Sequence, residues 1–344
     1  MEANRDHSRT IALERDDGFH FAEYAQQPDA FWYTEWWYFN FIDPETGMAG
    51  EVTFAVFNPG NELGLGTASL NAIFVEPGHD PVVKMDYHRI GVFRAERERA
   101  NITLASNRVT VVDPDTYHIV AKTADGRFEA DLTYRQADAP QFLVDRQPGV
   151  GWELSSWLVY MPRAVVDGTV RVNGREHRLQ RIVGYHDHDW GRWEVWKRDW
   201  SWANVGDAKG DFGFVLAEKG AFTNSIAYVR HGDLRLQLPD TRCTFEQSSL
   251  KPWALLWAYP RKLTFKGTDA DDLYRLELEW VVEDTGVLWQ YPLVVFEQTA
   301  RFKGTLYERA GGRPDAPWAV RTAIDTRGLC EATARWVPPN GLPE

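Results

Sequence analysis

The sequence predicts an all-β protein built as two tandem antiparallel β-barrels. Three observations point there. Short runs rich in β-branched and aromatic residues recur along the chain, separated by Gly, Pro, Asn and Asp turn signals. No long stretch carries a helical hydrophobic period. The 344 residues exceed the size at which one hydrophobic core usually stops growing, which favours two domains.

The elements follow in order. Residues 1–30 read as a polar N-terminal arm, and ordered chain begins near Phe31. Trp36–Ile42 reads as an aromatic strand, turning at Asp43-Pro44-Glu45-Thr46-Gly47 into Glu51–Phe57, a hairpin that ends at Asn58-Pro59-Gly60. Ala68–Val75, Asp86–Phe93, Asn101–Ala105, Arg108–Val112, Thr116–Lys122 and Phe128–Arg135 continue the pattern, and turn-rich Pro140–Gly151 interrupts it. Thr169–Val172, Asn173-Gly174 and His177–Val183 form the clearest hairpin, because Asn-Gly suits a type I′ turn whose two central residues need positive φ. Later strands are expected from Trp200–Val205 through Gly328–Trp336, with Ser248–Trp257 the one candidate for a short helix. The domain boundary is expected near 180–195, dividing a first barrel at 31–188 from a second at 189–340.

Composition narrows the function classes. The formal net charge of −12 argues against a nucleic-acid surface, which needs a basic footprint to replace counterions, and against docking on anionic lipid. Two distant cysteines, Cys243 and Cys330, suggest neither a disulfide scaffold nor a zinc site. The polar segment Met1–Arg15 lacks an apolar core of the signal-peptide kind, and no apolar run approaches a membrane span, so a cytoplasmic location is expected. Sixteen tryptophans are several times the usual content. Indoles serve as core filler, and they also line pockets for apolar or cationic groups. A greasy ligand would need shielding from water or a transient meeting with a membrane surface.

Tyr185-His186-Asp187-His188-Asp189-Trp190-Gly191 stands out. On an extended segment His186, His188 and Trp190 share one face, and Tyr185, Asp187 and Asp189 the other. Three readings are open: a His-x-His metal pair, for which the sequence names no third ligand; acid–base work in a pocket; and buried polar residues satisfying one another. Glu35-Trp36-Trp37-Tyr38-Phe39 likewise places Glu35, Trp37 and Phe39 opposite Trp36 and Tyr38. A carboxyl among indoles can stay protonated through desolvation, or stand as a plain rim residue. Trp190, Trp193, Trp196, Trp200 and Trp202 crowd the start of the second half, as a cage for positive charge or as packing between barrels.

These residues carry a resemblance. The sequence resembles the carotenoid 1,2-hydratase (hydroxyneurosporene synthase) and AttH-like family over roughly residues 30–340. The anchors are Glu35–Phe39, Val170–Gly191 with Gly184–Gly191 the most specific, and Gly328-Leu329-Cys330-Glu331. The resemblance implies two lipocalin-like barrels in tandem and chemistry on unsaturated, isoprenoid or polyene substrates. It implies relatives that protonate a terminal alkene and add water, Diels–Alderases that position a polyene, and the more distant tocopherol cyclase. A His-x-Trp pair important in the hydratases matches His188 and Trp190. A Tyr-x-Asp pair expected on a following strand is absent from Gly213–Glu218, where Glu218 is the nearest carboxylate.

The expected function is therefore a lyase- or isomerase-type enzyme that needs no cofactor and no metal, acting on a terpenoid or polyene. His188 would be the acid or hydrogen-bond donor, Glu35 and Glu218 alternative proton sources, and Trp190 a stabiliser of positive charge. Trp37, Tyr38, His186, Trp193 and Trp202 would contact substrate. A pericyclic cyclase that works by shape, and a carrier of a lipophilic molecule, are the alternatives.

Overall fold

The computed structural model describes residues 15–27, 30–60, 66–148, 153–193, 200–219, 222–254, 257–290, 293–333 and 335–336. Among them it is all strand and turn, with short 3₁₀ turns and no α-helix. No helix of the described residues is long and apolar enough to cross a membrane. The chain divides into two compact units, residues 1–41, 50–74 and 82–194, and residues 42–49, 75–81 and 195–344.

The first unit carries a sheet of β1 (Tyr33–Ile42), β2 (Ala49–Phe57), β3 (Thr67–Val75), β4 (Val82–Arg89), β5 (Phe93–Ala95), β6 (Ile102–Leu104), β7 (Asn107–Asp113), β8 (Thr116–Lys122), β9 (Phe128–Gln136), β10 (Gln141–Pro148), β11 (Leu154–Val172) and β12 (Arg175–Arg192). Its order is β4-β3-β2-β1-β12-β11-β9-β8-β7-β6-β5, with β10 on the free half of β11. The first strand thus pairs with the last in the middle of the sheet, and the sheet as a whole forms a nearly closed barrel.

The second unit repeats the scheme. Its strands are β13 (Trp200–Gly206), β14 (Phe212–Lys219), β15 (Phe222–His231), β16 (Leu234–Leu238), β17 (Cys243–Ala254), β18 (Trp257–Thr268), β19 (Tyr274–Gln290), β20 (Leu293–Arg309), β21 (Trp318–Thr333) and β22 (Arg335–Trp336). Their order is β16-β15-β14-β13-β21-β20-β19-β18-β17, again first strand beside the long closing strand, in a half-barrel. Its core holds Ala203, Val205, Leu216 and Cys330 around Trp280, whose ring stacks on Phe302 at 5.1 Å. The expected pair of tandem lipocalin-like barrels is the observed architecture.

Local chemistry explains the elements. Val172 pairs with Arg175 across Asn173-Gly174, whose φ values of 50° and 83° are those a type I′ turn requires. Along β9 burial alternates residue by residue, the mark of a strand with one wet face. β1 and the stretch Val183–Gly191 of β12 do not alternate and are buried on both faces. The chemistry-bearing segments are those two.

Two stretches differ from expectation. The described part of the helix candidate Ser248–Trp257 is not helical: Cys243–Ala254 pairs antiparallel with β18, with a register shift between Pro252 and Ala254, and residues 255–256 lie outside the described residues. Pro252 lacks the N–H a helix interior needs, and the neighbouring strand supplies the partners instead. Gln141–Pro148, read as turns, forms the bulged strand β10, because the Leu154–Val159 half of β11 offers an open edge.

Candidate active site

The pairing of β1 with β12 brings Glu35–Phe39 beside His186–Trp190, and the two-residue repeat divides these segments into an inward and an outward cluster. The inward cluster is the barrel core. The imidazole of His186 stacks on Phe39 at 4.0 Å and that of His188 on Trp37 at 4.6 Å, both nearly parallel. The Trp190 indole stacks on His20 at 4.0 Å. Glu35, His186 and His188 are wholly buried, as is Asp17.

Asp17 and His20 belong to the segment assigned from sequence to a polar arm, yet both lie inside. The Asp17 carbonyl accepts from Trp37 Nε1 at 2.9 Å, and its carboxylate Oδ2 accepts from the Tyr117 hydroxyl at 2.6 Å. His186 Nδ1 donates to the Tyr38 carbonyl at 3.0 Å, and its Nε2 lies 3.0 Å from Asp17 Oδ2. Nε2 must hold a proton, or Oδ2 must, for that contact to attract. His188 Nε2 meets Glu35 Oε1 at 2.9 Å. His188 Nδ1 faces Asp17 Oδ1 at 3.4 Å, close enough for charge attraction but not aligned as a hydrogen bond. Glu35 is further held by the Tyr33 hydroxyl at 2.5 Å and the His20 N–H at 3.1 Å.

Burial disfavours a charged His188, but the closely facing carboxylates of Asp17 and Glu35 outweigh it and push its pKa up to about 9. Burial likewise opposes ionisation of Asp17, and the charge of His186, its contact with Oδ2 and the close approach of His188 reverse that, holding the carboxyl well below its usual range. Burial drives the Tyr33 and Tyr117 hydroxyls far up, so both stay protonated donors. The inward cluster is a closed ionic core, and both nitrogens of His188 already face carboxylates.

The outward cluster is different. Asp187 lies between the two histidines in sequence but projects to the other face. Its Oδ2 accepts from the Tyr185 hydroxyl at 2.7 Å and from Trp157 Nε1 at 2.9 Å. Trp157 stands on β11 directly opposite Asp189, a diagonal neighbour of Asp187 across the ladder. The Tyr38 ring meets Tyr185 edge-on at 6.3 Å. Asp187 Oδ1 is buried and has no hydrogen-bond partner among the described residues. Burial raises the Asp187 pKa to about 6, although Tyr185, Trp157 and the two histidines pull it down. An acid half-ionised near pH 6, with one oxygen uncommitted among the described residues, is chemically equipped to give a proton.

Other sequence-named residues fall as follows. Trp193 is buried and packs edge-on against Trp36 at 5.5 Å. Trp202 is buried on β13 of the second unit. Glu218 stands on β14 with its backbone opposite Ser201, and its side chain lies outside the described residues, as does Trp196. Asp17, His20, Tyr117 and Trp157 were not singled out from sequence. Asp187 carried a signal, since it shares the polar motif and the alternation placed it opposite the histidines.

Gly191, which ends the motif, has φ of 151°, and a Cβ there would lie 2.1 Å from the Leu154 carbonyl oxygen. Gly191→Ala is expected to cost about 1–3 kcal/mol, read as a lower midpoint in urea unfolding.

The two sheets and the buried polar strands at their closure define a lipocalin-like tandem-barrel protein. The sequence matches the family described as a domain of unknown function, DUF7064, over residues 21–303, and the chain belongs to that family. No curated protein matches it. Among solved structures it is similar to a candidate AttH from Nitrosomonas europaea, with 14% identity and a TM-score of 0.66 over 92% of this chain and 94% of that one. It is also similar to kievitone hydratase from Nectria haematococca, with 13% identity and a TM-score of 0.61 over 87% and 88% of the chains. CghA, solved with Sch210972, aligns at 12% identity with a TM-score of 0.60 over 90% and 89%. At these identities the likeness is one of fold, and it is the fold of the AttH-like relationship expected from the motifs.

Proposed function

We propose that the protein is a lyase- or isomerase-type enzyme, without a cofactor, that transfers a proton to a hydrophobic unsaturated substrate of terpenoid or polyene character. The observation that carries this reading is Asp187: a buried carboxyl whose pKa is lifted to about 6, with Oδ2 committed to Tyr185 and Trp157 and Oδ1 uncommitted. Two donors already point at Oδ2, so the proton of the acid form sits on Oδ1. From there it would pass to an alkene carbon, and the aromatic faces of Tyr38, Tyr185 and Trp157 would stabilise the carbocation. Water addition, ring closure or proton loss would follow. The hydratase named among the similar structures is consistent with such chemistry.

In this reading His188, His186, Glu35, Trp37 and Trp190 hold β12 in place and do not touch substrate. That assigns the acid role expected of His188 to its neighbour. Trp193, Trp202 and Glu218 are left without an assigned part.

The test uses deuterated water. The purified protein is incubated with a panel of terpenoid and polyene alkenes, and recovered substrate and product are examined by mass spectrometry. Carbon-bound deuterium that depends on the protein is expected. Product without deuterium, formed at a rate indifferent to pH, would replace this reading with that of a pericyclic cyclase. A lipophilic molecule that co-purifies and is never converted would make the protein a carrier.

A further inference from the structure

Asn40 shares the outward face with Asp187, and its part rests on the acid role proposed above. Phe39 stacks on His186 and Trp37 on His188, and the Trp193 N–H donates to the Trp32 carbonyl at 3.3 Å, which fixes the register of β1 on β12. That register sets Tyr38 opposite Asp187 and Asn40 opposite Tyr185. On its other side β1 pairs with β2. The Asp43 N–H donates to the Met48 carbonyl and the Asn58 N–H to the Tyr33 carbonyl, both at 2.8 Å, so Glu51 stands opposite Asn40 and Thr53 opposite Tyr38. Asn40 therefore lies within a buried polar face, diagonal to Asp187, a relation that puts about 7–8 Å between Cα atoms.

Asn40 is wholly buried, yet neither its Oδ1 nor its Nδ2 has a hydrogen-bond partner among the described residues. Its cross-strand neighbours are committed elsewhere. The Tyr185 hydroxyl donates to Asp187 Oδ2, and Glu51 Oε1 accepts from the Thr53 hydroxyl at 2.5 Å. A buried amide with both ends unmade is costly, and ordered water commonly serves such groups. Its partner must both donate and accept, which an O–H group does and a hydrocarbon chain cannot. Asp187 Oδ1, also unpartnered, is the atom that carries the acid's proton on the reading above. A single water between the two side chains would have the amide oxygen, the amide nitrogen and Oδ1 as polar partners, enough to hold a buried water.

We propose that Asn40 is a positioning residue that holds a water molecule beside Asp187, and that this water is the nucleophile of the reaction. Asp187 Oδ1 gives its proton to one alkene carbon, and the positive charge falls on the other. The water oxygen forms the new C–O bond, and the proton it sheds returns to Asp187 Oδ1. Alkene and water become an alcohol, and the acid is restored. Asn40 thus selects water addition over ring closure and proton loss.

The test compares the full-length wild type with Asn40→Leu and Asn40→Ser in water labelled with deuterium and heavy oxygen, using the alkene of the panel that takes up most deuterium. The readout is the ratio of oxygen-labelled alcohol to deuterated alkene. The wild type is expected to give mainly alcohol that carries both labels. Asn40→Leu should lower the ratio about tenfold, the worth of one strong hydrogen bond, while carbon-bound deuterium still forms. Asn40→Ser, whose hydroxyl again donates and accepts, should recover part of it. A folded Asn40→Leu protein with the wild-type ratio overturns the proposal. A rise in KM at an unchanged ratio also overturns it, because Asn40 would then hold a hydroxyl of the substrate. Deuterated wild-type products without alcohol refute the water and leave Asp187 as the acid, whereas no deuterium at all removes both. Where Asn40→Leu does not fold, Asn40→Ala decides by the same ratio: a fall of about threefold supports the proposal and no change refutes it.

Discussion

Replacing Asp187 with Asn is expected to lower turnover by about 10²–10⁴-fold, the usual contribution of a positioned general acid, while leaving the fold intact. An amide has the same shape, and its oxygen still accepts from Tyr185 and Trp157 where Oδ2 does now. What it cannot do is release a proton. In the wild type the active form is the protonated acid, so the rate of the chemical step should fall as pH rises through about 6. The variant should show no such limb.

The same titration acts on stability. An acid whose folded pKa is raised from 3.8 to about 6 stabilises the fold fully below the lower value and loses that contribution as pH climbs through the upper one. Above it the buried carboxylate costs about 3 kcal/mol relative to the protonated form. Asp187→Asn is therefore expected to be at least as stable as the wild type at pH 8, measured by urea unfolding, although it is inactive. A variant that keeps its activity would remove Asp187 from the chemistry, whatever its stability.

The sequence made the faces of the site legible, because strand alternation is a local property. Glu35, Trp37 and Phe39 do share a side, as do His186, His188 and Trp190, and Asn173-Gly174 does close the hairpin that joins β11 to β12. Local pattern carried no information about Asp17, which reaches His186 across 169 residues from a stretch with no strand signal of its own. Nor did it separate the roles of neighbouring residues. His188 and Asp187 are adjacent in a uniformly polar motif. Only the barrel interior, with a carboxylate at each imidazole nitrogen, makes one a closed ion pair and leaves the other an uncommitted acid. The strand β10 and the Ser248–Ala254 stretch were obscured for a related reason: their partners, not their own propensities, decide their conformation.

His188 is where the largest loss of stability is expected. His188→Ala would remove the cation that sits between Asp17 and Glu35 and leave two buried carboxylates facing a cavity. Breaking a buried ion pair in this way costs about 3–5 kcal/mol, a large share of the stability of a domain. The pH dependence separates charge from packing. His188 has its folded pKa raised from 6.5 to about 9, so its contribution is fully present below 6.5 and disappears as pH rises through 9. The wild type should accordingly lose about 3 kcal/mol between those limits in urea unfolding. His188→Gln keeps part of the volume and cannot titrate, so it should be less stable than the wild type at pH 6 and should lack this slope. A Gln variant with the same slope would place the titrating group elsewhere. A variant as stable as the wild type at pH 6 would mean that the imidazole contributes no more than its shape, and the ionic account of the barrel core would fail with it.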